Sequence, residues 1–229
     1  MLRYLPIATI VIFATALPAA AQKPTDLIDQ ASYSIGVDIG RRLQADDLEL
    51  NAQWVAQGLV SALSGQQAVL TDEEMEAALV AFNKAIQAKM DEKNRIAGAN
   101  NKAEGEAFLA ENAKKPNVKV TPSGLQYVVI KSGNGPSPTL QDQVTTHYHG
   151  MLIDGTVFDS SIERNQPATF PVSGVIRGWT EALQLMKQGD KWRLFIPSEL
   201  AYGARGAGDD IGPNAVLVFD IELLQINGK

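Results

Sequence analysis

Residues Gln143 to Ser161, QVTTHYHGMLIDGTVFDSS, decide the fold. From Gln143 to Leu152 the residue types alternate with a period of two, the mark of a strand whose successive side chains point to opposite faces. Asp154-Gly155 supplies a turn, and Val157-Phe158 resumes the extended run. Outward from this hairpin the same pattern recurs at Gly124 to Ile130, Thr169 to Val172, Lys191 to Ile196 and Val216 to Ile226. A single amphipathic helix fits Ile176 to Lys187, with Trp179, Leu183 and Met186 on its inward side. Gly189-Asp190 then turns back into a strand. An antiparallel sheet with one short helix laid across it is an α+β architecture.

The composition changes near Pro116. No proline occurs between Pro24 and Pro116, and the stretch is rich in Ala, Gln, Glu and Lys, which favours helix. The first helix is expected from Leu27 to Gln44, with Ile28, Ala31, Ile35 and Ile39 on one face. A second is expected from Gln53 to Ser64, capped by Asn51 and stopped by Gly65, its buried side formed by Trp54, Leu59 and Leu63. The third opens at Thr71 with Glu74 in capping-box register, and Met75, Leu79, Phe82, Ile86 and Met90 make a stripe. Beyond Met90 the stripe fades, and Asp91 to Lys115 reads as a long exposed helix with Gly98 and Gly105 as weak points. The expected division is a helical region over 25–90, a connecting helix over 91–115, and a sheet domain over 116–229. So small a helical region has trouble burying its stripes alone. Pairing with a second copy would cover them; packing onto the C-terminal domain of the same chain is the alternative.

Other classes fall away on composition. The formal net charge of −6 argues against a nucleic-acid binder, and the absence of cysteine excludes disulfides, thiol nucleophiles and thiolate metal sites. Arg3, the apolar run Ile7 to Leu17 and the small residues Pro18 to Ala21 read as a signal peptide over residues 1–21, and hence as export, most simply to a periplasm. The apolar run is short for a membrane span. An uncleaved N-terminal anchor is the alternative, and without a cysteine at the cleavage point a lipoprotein anchor is excluded.

The chain contains two histidines, His147 and His149, which share one strand face and leave Tyr148 on the other. No third ligand accompanies them, so neither metal nor cofactor is expected, and a Ser-His-Asp triad would have to use one of the same two residues. Gly203 to Gly208, GARGAG, follows no βαβ pattern and lacks the lysine of a P-loop, so it reads as a flexible loop.

Five segments in order, His147 to Ser161, Pro167 to Phe170 (PATF), Val175 to Met186 (VIRGWTEALQLM), Pro197 to Gly203 (PSELAYG) and Ile211 to Leu224 (IGPNAVLVFDIELL), resemble the FKBP-type peptidyl-prolyl isomerases. Ser32 to Leu43 and Gly105 to Lys115 resemble the helical N-terminal half of the macrophage infectivity potentiator (Mip) proteins of that family. The resemblance implies an FKBP-like antiparallel sheet wrapped around a short helix, preceded by a helical dimerisation region and a long linker helix. It implies catalysis by Tyr148, Asp159, Tyr202 and Phe219 in an apolar pocket walled by Phe158, Val175, Ile176 and Ile211 and floored by Trp179. Asp159 would organise polar groups at the rim, while the Ile176 N–H and the Tyr202 hydroxyl would hold substrate carbonyls. Ala168, where many relatives carry an aromatic residue, would open the rim. The implied partners are proline-containing unfolded polypeptides, with no stable membrane span after signal cleavage. A non-catalytic holdase or surface-interaction protein is the alternative function.

Overall fold

The computed structural model describes residues 23–45 and 48–227. The expected signal peptide, residues 1–21, lies outside them. The chain divides into two compact units, Met1–Thr71 and Asp72–Lys229.

The first unit contains helices α1 (Leu27–Ala45) and α2 (Ala52–Leu63). Asn51 starts α2 as expected: its Oδ1 accepts the N–H groups of Gln53 (3.0 Å) and Trp54 (3.2 Å), two donors the helix itself leaves without partners. Gly65, at φ +66°, ends it in the left-handed conformation. The expected buried side of α2 is not buried. Trp54 is 63 % exposed and Leu63 87 %, and on α1 Ile28 is 73 % exposed. Two helices of 19 and 12 residues present too little surface to each other to cover all their apolar residues.

The second unit opens with α3 (Asp72–Asn112), one continuous helix of 41 residues, about 60 Å long at 1.5 Å per residue. The expected third helix and connecting helix are therefore a single element, and Lys114 and Lys115 fall in the turn beyond it. Gly98 and Gly105, read as weak points on an exposed helix, are both buried. A Cβ on Gly105 would stand 2.6 Å from Val216 Cγ2, and one on Gly98 3.1 Å from Pro213 Cβ. The last third of α3 packs on the sheet domain, and the glycines are what allows so close an approach. Phe108 meets Phe195 there at 5.9 Å, and Asn112 donates to Gln126 Oε1 at 2.9 Å.

The sheet has seven strands: β1 (Lys119–Val120), β2 (Gln126–Lys131), β3 (Gln143–Leu152), β4 (Val157–Ser160), β5 (Ala168–Pro171), β6 (Lys191–Ile196) and β7 (Leu217–Asn227). Their order is β1-β2-β6-β7-β3-β4, with β5 on β3, and every pairing is antiparallel. β3 and β6 run over the residues their alternation predicts. β1, two residues long, is too short for any periodicity to announce. Helix α4 (Arg177–Leu185) lies across one face and buries Trp179, Ala182 and Leu183, followed by Met186. These side chains join Leu194, Ile196, Leu217, Ile221 and Leu223 in one core. Fixing α4 against the sheet in this way holds Trp179, near the start of the helix, within that core.

Candidate active site

Tyr148 faces the core and is 5 % exposed, while its neighbours His147 and His149 face the other way. The histidines are engaged by adjacent serines, His147 Nδ1 with Ser161 Oγ at 3.0 Å and His149 Nδ1 with Ser160 Oγ at 2.9 Å. Ser161 also accepts the Tyr148 N–H at 2.8 Å, and its own N–H donates to Tyr148 O at 3.0 Å. The Ser-Ser pair at the end of β4 thereby extends the β3 ladder and fixes the two residues before it, Phe158 and Asp159, at the site.

The aromatic side chains meet around Trp179. Its ring stands edge-on to Tyr148 (5.4 Å, 78°), Phe170 (5.8 Å, 86°) and Phe219 (5.2 Å, 83°), and Phe219 meets Phe158 in the same manner (5.4 Å, 82°). Edge-to-face contacts of this kind suit the ring quadrupoles. Gly150 makes room for the last pair, since a Cβ there would reach within 2.6 Å of Phe219 and 2.8 Å of Phe158. The result is a cavity of about 640 Å³, and all nine expected site residues line it: Tyr148, Phe158, Asp159, Val175, Ile176, Trp179, Tyr202, Ile211 and Phe219. Phe170 and Gly174 complete the lining. Ala168 packs against the core, and two residues on, Phe170 supplies the aromatic wall on that side.

Polar groups stand at the rim and at one point of the floor. Tyr148 Oη donates to Asp159 Oδ2 at 2.6 Å, and Arg164 donates to Tyr148 Oη at 2.8 Å while pairing with Asp159 Oδ1. Burial pushes the Asp159 carboxyl up, but the bonds from Tyr148 and Arg164, with the guanidinium charge, outweigh it and hold the carboxyl below its ordinary range. Burial, reinforced by the bond to Asp159, raises the Tyr148 phenol. Arg164 is a member of this network that sequence reasoning missed. Its partners lie 5 and 16 residues away across a turn, a spacing with no periodic signature. Tyr202 is 41 % exposed, and its hydroxyl has no partner among the described residues. No side chain caps the start of α4 at Ile176, so peptide donors remain at that edge. On the floor, Trp179 Nε1 is buried without a partner.

GARGAG is not a loose loop. Gly203, Gly206 and Gly208 all take positive φ, and Ala207 and Ile211 exchange backbone bonds of 2.8 and 3.1 Å. Such turns are open to glycine and strained for other residues. They deliver Ile211 to the cavity wall, with Asp209 and Asp210 exposed on the outer side.

The site is an aromatic basket with a hydrogen-bonded rim, suited to binding an apolar ring beside polar amide groups. Residues 135–224 match the model of the FKBP-type peptidyl-prolyl cis-trans isomerase domain, and residues 28–129 match the domain amino-terminal to it. The chain is 45 % identical over 222 residues to the outer membrane protein MIP of Legionella longbeachae, covering 96 % of this chain and 95 % of that one. It is 48 % identical over 198 residues to the FKBP-type 22 kDa peptidyl-prolyl cis-trans isomerase of Escherichia coli, covering 86 % and 94 %. Among solved structures it is similar to FkpA from Escherichia coli, with a TM-score of 0.66 and 36 % identity over 88 % of this chain and 97 % of that one. With its fold, its cavity and both halves of its sequence in agreement, the chain belongs to the FKBP-type peptidyl-prolyl cis-trans isomerases.

Proposed function

We propose that the Trp179 cavity is where this isomerase holds the X–Pro bond, and that it turns the bond without covalent chemistry. The proline ring sits over Trp179, enclosed by Tyr148, Phe158 and Phe219. The Ile176 N–H and the Tyr202 hydroxyl hold substrate carbonyls. Asp159 and Arg164 fix the Tyr148 hydroxyl at the rim. Rotation about the bond is slow because the planar amide is stabilised by a charge-separated resonance form, which sets a barrier of about 18–20 kcal/mol. An apolar site disfavours that form relative to the twisted, less delocalised one. Walls that fit the twisted geometry add binding specific to the transition state. The observation that carries this reading is the aromatic basket itself, with Trp179 in edge contact with three rings inside a cavity of about 640 Å³.

The exposed apolar helix faces of the first unit support its use as the contact between two copies of the chain. A pair of sites held together would bind an unfolded chain at two prolines with raised effective affinity. The N-terminal signal pattern supports action in the periplasm on exported proteins. No helix among the described residues is long and apolar enough to cross a membrane.

A protease-free isomerisation assay on a proline tetrapeptide tests the site. Asp159→Ala and Tyr202→Phe are each expected to lower kcat/KM about ten-fold, the order of a lost charge-assisted or carbonyl-directed hydrogen bond. Their far-UV circular dichroism should stay that of the parent. Parental activity in both variants would overturn the assignment and leave the cavity a surface that binds proline without turning it.

A further inference from the structure

The loop that carries Ile211 ends on the long helix. Ile211 is on the cavity wall, and the residues that follow it, Gly212 to Val216, lie against α3. Asn101 Nδ2 on the helix donates to Pro213 O at 2.8 Å, and Asn214 Nδ2 on the loop donates to Gly98 O at 3.0 Å. The two bonds run in opposite directions between residues more than a hundred positions apart. Asn214 sits at φ +57° and its own N–H donates to Gly203 O at 2.8 Å, which ties the helix-bound end of the loop back to the turn beside Tyr202. The fit is tight from both sides. Beside the approaches at Gly98 and Gly105, a Cβ on Gly212 would stand 3.0 Å from Asn101 Nδ2. Glycine is a poor helix former, so two of them at a contact within α3 mark closeness to this loop as the feature that matters there.

We propose that α3 is the support of the cavity wall at Ile211, and that Asn101 is a positioning residue for isomerisation which acts through that wall without touching substrate. The inference rests on the reading of the Trp179 cavity as the isomerase site. A wall fixed before substrate arrives costs less to order on binding. The same wall contacts ground state and transition state, so its loosening shows mainly in KM. Asn101 thus bears on isomerisation although no residue of its helix lines the Trp179 cavity.

Five full-length proteins test it in the tetrapeptide assay: the parent, Asn101→Ala, Ile211→Ala, the double variant and Asn214→Gly. Asn101→Ala keeps a good helix former and is expected to fold, with kcat/KM down about three- to ten-fold, the range of one lost hydrogen bond, mostly through KM. In the Ile211→Ala background the same change is expected to cost less than about two-fold, because residues that act through one contact are not additive. Asn214→Gly, which keeps the positive φ and loses the bond to Gly98, is expected to match Asn101→Ala. Equal losses in both backgrounds would show a general structural role and overturn the inference, as would no loss in Asn101→Ala. If Ile211→Ala is slow while Asn101→Ala is not, the inference alone falls. If Ile211→Ala is itself at parental activity, the cavity reading fails at that wall and the inference with it.

Discussion

Apolar residues do opposite things in the two units of this chain. In the second they are interior: Leu183, Leu194, Ile196, Leu217 and Ile221 have no solvent exposure at all, and the tryptophan that floors the cavity is 4 % exposed. In the first they are on view, with Leu27 78 %, Tyr33 65 %, Trp54 63 % and Leu63 87 % exposed. That much apolar side chain at the surface of a small helical pair is what the proposed contact between two copies would cover. The difference teaches where each activity resides. Clustered aromatic side chains in the second unit make a pocket; exposed stripes in the first are what the proposed contact would use. Helix α3 repeats the contrast within one element, since Leu79 and Val80 are exposed near its start while Gly98 and Gly105 are buried toward its end.

The sharpest way to break the comparison is to change a residue that serves both core and cavity. Trp179→Ala is expected to destabilise the second unit by about 3–5 kcal/mol, the usual cost of removing a buried aromatic side chain, and to abolish measurable isomerisation. Thermal melting and the tetrapeptide assay read the two losses together. A variant that melts with the parent and stays active would show that Trp179 floors nothing.

A smaller effect belongs to the rim. Asp159 is held below its ordinary range, so what it contributes is present above the unperturbed carboxylate value of about 3.9 and is lost as pH falls through its depressed value. Tyr148 is raised, so its contribution is present below the ordinary phenol value of about 10 and is lost as pH rises past its own. The expected kcat/KM profile is therefore flat from about pH 5 to 9. An inflection near neutrality that vanishes in Asp159→Asn would contradict this account of the rim.

Much of this was legible in the sequence where the signal is local. Alternation from Gln143 to Leu152 and from Lys191 to Ile196 placed β3 and β6, and Asn51 and Gly65 marked the ends of α2. The cavity residues were legible through the ordered motifs, not through any one aromatic residue, because each is equally at home in a core. What escaped depends on contacts between distant residues. Gly98 and Gly105 read as weak points because propensity registers what glycine lacks and not what approaches it, here Pro213 and Val216. Trp54 and Leu63 read as buried because periodicity shows which face is apolar but not what covers it. Phe170, read only as part of a short strand and of the PATF motif, and Arg164, in a loop, each earn a place at the cavity only through partners brought in by the fold.

The central claim is that assembly and catalysis are separable, the first carried by the exposed helix faces and the second by the Trp179 cavity. Sedimentation velocity on the chain from Gln22, beside a Trp54→Glu/Leu63→Glu variant, with the tetrapeptide assay run on the same samples, tests it most directly. The account predicts a parent dimer, a variant monomer, and the same kcat/KM per chain in both. A parent that sediments as a monomer, or a variant whose tetrapeptide turnover falls along with its dimerisation, would contradict it.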